Sequence, residues 1–194
     1  MDTVTRSITA SVAIKQQILS SPEMLECIRQ VAQVMTHALQ QGGRVLWCGN
    51  GGSAADAQHL AAELSGCFYY DRPPLNSEAL HCNTSYLTAV ANDYGYEHIY
   101  ARMIDGACKA GDVLVGISTS GDSSNIVNAF RKAKDLGVIT VALTGQSGGD
   151  MRSLADYLIN VPSTDTPRIQ EAHIMIGHII CEIVEASIFP KSAI

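Results

Sequence analysis

A chain of 194 residues can bury a sizeable core as one domain, alone or with helical additions, and is short for two independent domains. With 46% hydrophobic and 16% charged residues, and 16 glycines spread along its length, it is neither disordered nor fibrous. The 13 Lys and Arg against 19 Asp and Glu give a net charge of −6, and no block of like charge offers a nucleic-acid stripe or a polybasic membrane anchor, so any anionic ligand must be held locally.

After a polar start, residues 1–43 read as helical. Ser21 caps, Pro22 suits a first turn, and Leu25, Ile28, Val31, Ala32, Met35, Ala38 and Leu39 recur at helical spacing until Gly42-Gly43 stops them. Residues 44–48 form a short apolar run, 49–53 a loop and 54–64 a helical segment, which together read as strand, turn and helix. The unit recurs less cleanly as a strand at 78–81 before a helix at 85–92. It recurs clearly as a strand at 112–117, a loop at 118–124 and a helix at 125–136 that Gly137 ends. A fourth strand is predicted at 138–143, then a Gly-rich turn, a short helix at 151–155 and a fifth strand at 157–161. Last comes a closing helix, capped by Asp165 or Thr166, that runs to about Phe189. Apolar strands without strict alternation imply cover on both faces. The expected fold is therefore α/β, a three-layer sandwich with a five-stranded parallel sheet, in one domain over 1–194 with 1–43 as an N-terminal helical extension. The N-terminus lacks the unbroken apolar run of a signal peptide, and no stretch of about 18 apolar residues occurs, so a soluble, cytoplasmic protein with no membrane partner is expected.

In an open parallel sheet, ligands bind beyond the carboxyl ends of the strands, where loops present backbone N–H groups at helix N-termini. Gly49-Asn50-Gly51-Gly52-Ser53 follows a strand and opens a helix, and can wrap an anion with little steric hindrance. Gly49, Gly51 and Ala54 fit the dinucleotide G-x-G-x-x-G/A spacing. The acid expected at the end of the second strand is missing, however, since 78–80 runs into His81-Cys82, and no phosphate-binding G-x-x-x-x-G-K-[ST] occurs. The loop Ser118-Thr119-Ser120-Gly121-Asp122-Ser123-Ser124 carries five hydroxyls at a helix N-terminus. Capping needs one, so the loop reads as a cradle that holds a monophosphate by hydroxyls and amides without a lysine.

His59 and Glu63, four apart, share a helix face; they can hold a metal, shuttle a proton, or form a plain surface pair. Gln170 and His178 are polar positions in the otherwise apolar closing helix, where a buried imidazole needs a partner. Eight residues set these two roughly 12 Å apart along a straight helix, a stretch for joint ligation by one chain. A long, mostly apolar helix also suits a bundle-like oligomer interface, which motivates the expectation that a neighbouring subunit supplies some site residues. The cysteines Cys27, Cys48, Cys67, Cys82, Cys108 and Cys181 form no C-x-x-C pair and read as small buried hydrophobes of a reduced protein. His37, His81, His98 and His173 read as structural.

The segments CGNGGSAADAQH at 48–59, ANDYGYE at 91–97, GISTSGDSSN at 116–125 and RIQEAHIMIGH at 168–178 resemble, in order and along the whole chain, the bacterial phosphoheptose isomerases. These are the sedoheptulose 7-phosphate isomerases of the sugar isomerase (SIS) fold. The resemblance implies a flavodoxin-like SIS domain that converts sedoheptulose 7-phosphate to D-glycero-D-manno-heptose 7-phosphate through an enediol. It implies a role toward ADP-heptose of lipopolysaccharide core or a related surface glycan, in a cytoplasmic, zinc-binding homotetramer with sites at subunit interfaces. Carried over residue by residue, it implies Zn²⁺ on His59, Glu63, Gln170 and His178. It implies substrate contacts at Asn50, Gly51, Gly52, Ser53, Asn92, Asp93, Ser118, Thr119, Ser120, Ser123 and Gln170, with Glu63 and His178 as catalytic base and acid. Departures are Cys67 where many relatives carry Arg, so that Arg72 replaces this basic group or nothing does; Pro167 where some carry Asp, so that the nearest acid is Asp165 or is absent; and the absence of an Asp before Thr84-Ser85. They touch substrate positioning more than the reaction. Two readings from another class are a SIS-fold tetramer acting as an adaptor that binds the replication initiator protein, and a sugar-phosphate sensor. The adaptor lacks the last His of the C-terminal motif, here His178, and has Thr where Gly52 stands.

Overall fold

The structure, a computed structural model, describes residues 1–191, so 192–194 of the expected domain lie outside the described residues. The chain opens with two helices, α1 (Thr3–Leu19) and α2 (Pro22–Gln40), where the sequence reads as one helical stretch. The division is local chemistry: Asp2 caps α1 through the Val4 and Thr5 N–H groups, and Ser21 restarts the helix by accepting from Met24 N–H, with Pro22 in the first turn.

Strands β1 (Val45–Gly49), β2 (Ser77–Ala79), β3 (Val113–Ser118), β4 (Ile139–Thr144) and β5 (Tyr157–Asn160) all pair in parallel, in the order β2-β1-β3-β4-β5. Between them run α3 (Gly52–Ser65) after β1, α4 (Thr84–Tyr94) and α5 (Ile99–Ala107) after β2, and α6 (Ser124–Asp135) after β3, and α7 (Thr166–Ile188) follows β5. Every residue of β1 and β3 is buried, which is why neither strand alternates in polarity. Val45 and Trp47 of β1 point to the core formed with α2, α3 and α7, while Leu46 and Cys48 point to the core formed with α4, α5 and α6. The result is the expected three-layer α/β sandwich.

Two further elements differ from expectation. Helix α5 is unpredicted, a nine-residue segment whose Ile99, Tyr100 and Ile104 are buried; so short a helix gives the 3.6-residue period little room to show. The short helix expected at 151–155 is a 3₁₀ turn, Asp150–Ser153. No helix among the described residues is long and apolar enough to cross a membrane.

Strand order 2-1-3-4-5 means that the connections after β1 and β3 leave toward opposite sides of the sheet, opening a crevice beyond their carboxyl ends. The loops 49–53 and 118–124 stand there. On the flank, α3 and α7 approach closely at Gly177, where any Cβ would collide with the Leu60 side chain. That contact sets His178 beside His59.

Candidate active site

The loop after β1 turns at Gly51 (φ 55°) into the first turn of α3, with no side chain capping the helix. Gly52 is exposed, and Gln170 of α7 lies against it: a Cβ at 52 would stand 2.7 Å from Gln170 Nε2. Ser53 is buried, and the side chain of Asn50 is turned inward to protein partners.

In the loop after β3, Ser123 occupies the capping position of α6, yet its hydroxyl does not cap. It meets Ser118 Oγ at 2.9 Å, and Ser120 Oγ lies 3.4 Å from the same atom. Ser118 Oγ also accepts from Gly121 N–H at 3.1 Å, and Ser120 Oγ accepts from Asp122 N–H at 3.1 Å. Hydroxyls that have left the capping role gather above a helix N-terminus, an arrangement suited to an anion. Beside them a cleft of about 210 Å³ is lined by Thr119, Ser120, Gln146, Ser147, Ser163 and Thr166 among others. Asn92 and Asp93 are exposed at the end of α4, where Asn92 Nδ2 donates to Asp93 Oδ1 at 2.8 Å.

Two helical turns along α3, His59 Nε2 stands 3.0 Å from Glu63 Oε1 and 3.0 Å from His178 Nε2. One ligand atom from each of the three residues lies within 4.8 Å of the others. Three lone-pair atoms cannot face one another at this range without a proton or a cation between them. Two imidazoles and a carboxylate are a donor set that zinc accepts, and a tetrahedral ion with ~2.0–2.1 Å bonds would hold its donors roughly 3.3 Å apart, so the residues fit such an ion. Gln170, the fourth residue that the family resemblance implies as a metal ligand, lies elsewhere within the one chain. It sits at Gly52, eight residues and roughly 12 Å along α7 from His178.

The structure adds residues that the sequence did not single out. Asp56, one turn before His59, buries Oδ2 without a partner; burial pushes its carboxyl above the usual carboxylate range, against the pull of His59 and His178. Its i,i+3 spacing to His59 was the readable signal. The Phe68 ring packs against the His178 ring with centroids 5.7 Å apart.

Arg72 does not replace the basic group missing at Cys67. Its side chain is 2% exposed and points into the protein, with Nε donating to Glu185 Oε1 at 2.9 Å. Its remaining N–H groups donate to the carbonyls of Glu63, Leu64, Gly66 and Pro73, so its fork closes the end of α3 instead of meeting a ligand. Asp165 is exposed at the start of α7, and its carboxylate does not cap the helix.

Residues 10–145 match the SIS domain family. The sequence is 52% identical to a phosphoheptose isomerase of Aneurinibacillus thermoaerophilus, over 97% of this chain and 95% of that protein. Among solved structures, a phosphoheptose isomerase from Francisella tularensis matches with a TM-score of 0.89 at 37% identity, covering 93% of this chain and 95% of that one. Another, from Neisseria gonorrhoeae, matches with a TM-score of 0.88 at 41% identity, covering 94% and 97%.

Proposed function

The chain belongs to the SIS domain family and, within it, to the phosphoheptose isomerases, and from that premise we propose that it converts sedoheptulose 7-phosphate to D-glycero-D-manno-heptose 7-phosphate. The observation that carries the reading is the convergence of His59, Glu63 and His178 in one cluster, built on a helix, α3, whose start faces the hydroxyl-lined start of α6 across the crevice.

A ketose–aldose isomerisation moves a proton between C1 and C2 through an enediol, and so needs a base, an acid and stabilisation of developing charge on oxygen. Glu63 is assigned as the base. His178 is assigned as the acid that protonates oxygen, its ring oriented by Phe68. Ser118, Thr119, Ser120 and Ser123 hold the phosphate, which fixes the far end of the sugar and leaves C1 and C2 to meet Glu63. Gly51, Gly52 and Ser53, at the start of α3, are assigned to the substrate from the facing side of the crevice, within reach of its phosphate, and Asn92 and Asp93 to the polyol chain.

His59, Glu63 and His178 would hold a divalent ion, zinc by preference; when bound, it polarises the carbonyl and offsets negative charge on the enediol oxygens. Gln170 is assigned as a further donor and substrate contact brought in across a subunit interface, consistent with its distance from the cluster in its own chain. A homotetramer is the assembly proposed, and it is supported by the stripe of Val4, Ile8 and Val12 on α1, exposed at 68%, 59% and 46%. The assignment includes a single domain with 1–43 as its helical extension, in the cytoplasm.

Gly52 and His178 separate this reading from the adaptor: a threonine at 52 would collide with Gln170, and His178 completes the cluster. The test is Glu63→Gln and His178→Gln, each expected to stay folded by circular dichroism while turnover falls by roughly 10²–10⁴-fold. Near-normal turnover in either variant would overturn the assignment.

A further inference from the structure

Three segments assigned above to substrate meet at one hydrogen-bonded node. Asn50, in the loop after β1, and Asn125, in the first turn of α6, exchange amide hydrogen bonds. Asn50 Nδ2 donates to Asn125 Oδ1 at 2.9 Å, and Asn125 Nδ2 donates back to Asn50 Oδ1 at 2.8 Å. Tyr96, three residues beyond Asp93, donates its hydroxyl to the same Asn50 Oδ1 at 3.0 Å. Asn125 is 2% exposed and Tyr96 51%, so one anchor belongs to the core and the other reaches in from the surface.

The amide of Asn50 is thereby largely spent. Both lone pairs of Oδ1 and one Nδ2 hydrogen are used within the protein, leaving a single Nδ2–H for a ligand. Its substrate role is therefore narrower than the sequence implies, and its larger role is to join two loops 75 residues apart.

What the node joins is specific. Helices α1, α2 and α4 are each capped by a side chain, from Asp2, Ser21 and Asn83. Helices α3 and α6 begin at Gly51 and Ser123 with no side-chain cap, as do α5 and α7, but only α3 and α6 start from the two loops that the node joins. These two open helix starts flank the crevice, and a phosphate bound by both requires a fixed spacing between them, since a helix start acts on an anion only within its first turn.

We infer that Asn125 and Tyr96 are positioning residues that act through Asn50 to set the spacing of the α3 and α6 N-termini, and hence the affinity for the phosphate end of the substrate. The inference rests on the phosphate-cradle reading of 118–124. A node of this kind acts on binding of the phosphate and leaves the proton transfer at Glu63 and His178 alone.

The experiment compares wild type with Tyr96→Phe, Asn125→Ala and the double variant. It measures Kd for inorganic phosphate by titration calorimetry, kcat and KM for sedoheptulose 7-phosphate, and the melting temperature. Each single substitution is expected to weaken phosphate binding and raise KM roughly two- to tenfold, the span of one net hydrogen bond, with kcat held within about twofold. The double variant is expected to lose less than the product of the singles, because both act on Asn50 Oδ1. Unchanged phosphate affinity in both singles, a fall in kcat at constant KM, or effects that multiply would each overturn the inference. Tyr96→Phe carries the test by itself if Asn125→Ala fails to fold, because Tyr96 is half exposed and the substitution removes only an oxygen. The phosphate titration does not depend on turnover, so a wild-type protein that binds phosphate but does not isomerise would count against the proposed function and still decide the node.

Discussion

Replacing Glu185 with alanine removes the one counter-charge that the described residues offer a cation with almost no access to water. The Arg72 and Glu185 side chains are 2% and 1% exposed, and the carboxylate accepts from Arg72 Nε at 2.9 Å and from the Phe68 and Tyr69 N–H groups at 2.8 Å each. Glu185→Ala strands a buried guanidinium and two backbone donors at once. Breaking a buried pair from one side costs about 3–5 kcal/mol, the stranded donors being part of that figure and not an addition to it. For a chain of this size, roughly 2–4 °C per kcal/mol converts the loss to a fall in Tm of roughly 6–20 °C. Burial pushes the Glu185 carboxyl up, but the Phe68 and Tyr69 N–H groups and Arg72 outweigh it and hold the group below the usual carboxylate range. Its folded pKa is therefore depressed: the stabilisation is present above the unfolded value near 4.3 and is lost as pH falls through the folded value. Thermal unfolding at fixed protein concentration should show the full gap between wild type and variant near neutral pH and a narrowing gap below about pH 4. Glu185→Gln, which keeps the shape and one acceptor oxygen, should lie between the two. A Tm change under about 2 °C for Glu185→Ala, or a gap independent of pH, would refute the reasoning.

Burial pushes the imidazole of His173 down to about 4, against the hydrogen bond from Nε2 to the Thr144 carbonyl at 3.1 Å. The folded value lies below the unfolded one near 6.5, so the unfolded chain takes up a proton first, and stability falls as pH drops from about 6.5 toward 4 by of order 3 kcal/mol. His173→Gln, which keeps a donor for Thr144 but cannot protonate there, should flatten that part of the curve in denaturant titrations; parallel curves for the two proteins would contradict this. Gly52→Thr should displace Gln170 and raise KM for sedoheptulose 7-phosphate at least several-fold with the melting temperature nearly unchanged, whereas unaltered kinetics would show that Gln170 does not serve the site.

Much of this architecture was legible in the residues. Three of the strands, β1, β3 and β4, are apolar runs closed by glycine-bearing or hydroxyl-rich loops, and their burial on both faces follows from the lack of alternation. The boundary between α1 and α2 was readable from one side: Ser21-Pro22 announces α2, but apolar Ile18 and Leu19 run into Ser20 with no glycine to mark the end of α1. Helix α5 was missed because its apolar face spans only two turns. At the site, the His59–Glu63 pairing follows from i,i+4 spacing, but their meeting with His178 depends on how two helices pack. The glycine at 177, inside a helix interior and beside that histidine, was the trace of it. The Asn50–Asn125–Tyr96 node and the turning of Arg72 toward Glu185 join residues 46 to 113 apart in sequence, with no local pattern to announce them. The individual roles at the site came from resemblance to a family, since spacing alone left a plain surface pair open at His59 and Glu63.

The most direct measurement is NMR of sedoheptulose 7-phosphate incubated with the purified protein, first stripped of metal and then with zinc restored. The account predicts signals of the aldoheptose phosphate, and loss of a C1 proton to solvent deuterium, only after zinc is returned. A folded protein that binds the ketose phosphate yet forms no aldose in either state would contradict it.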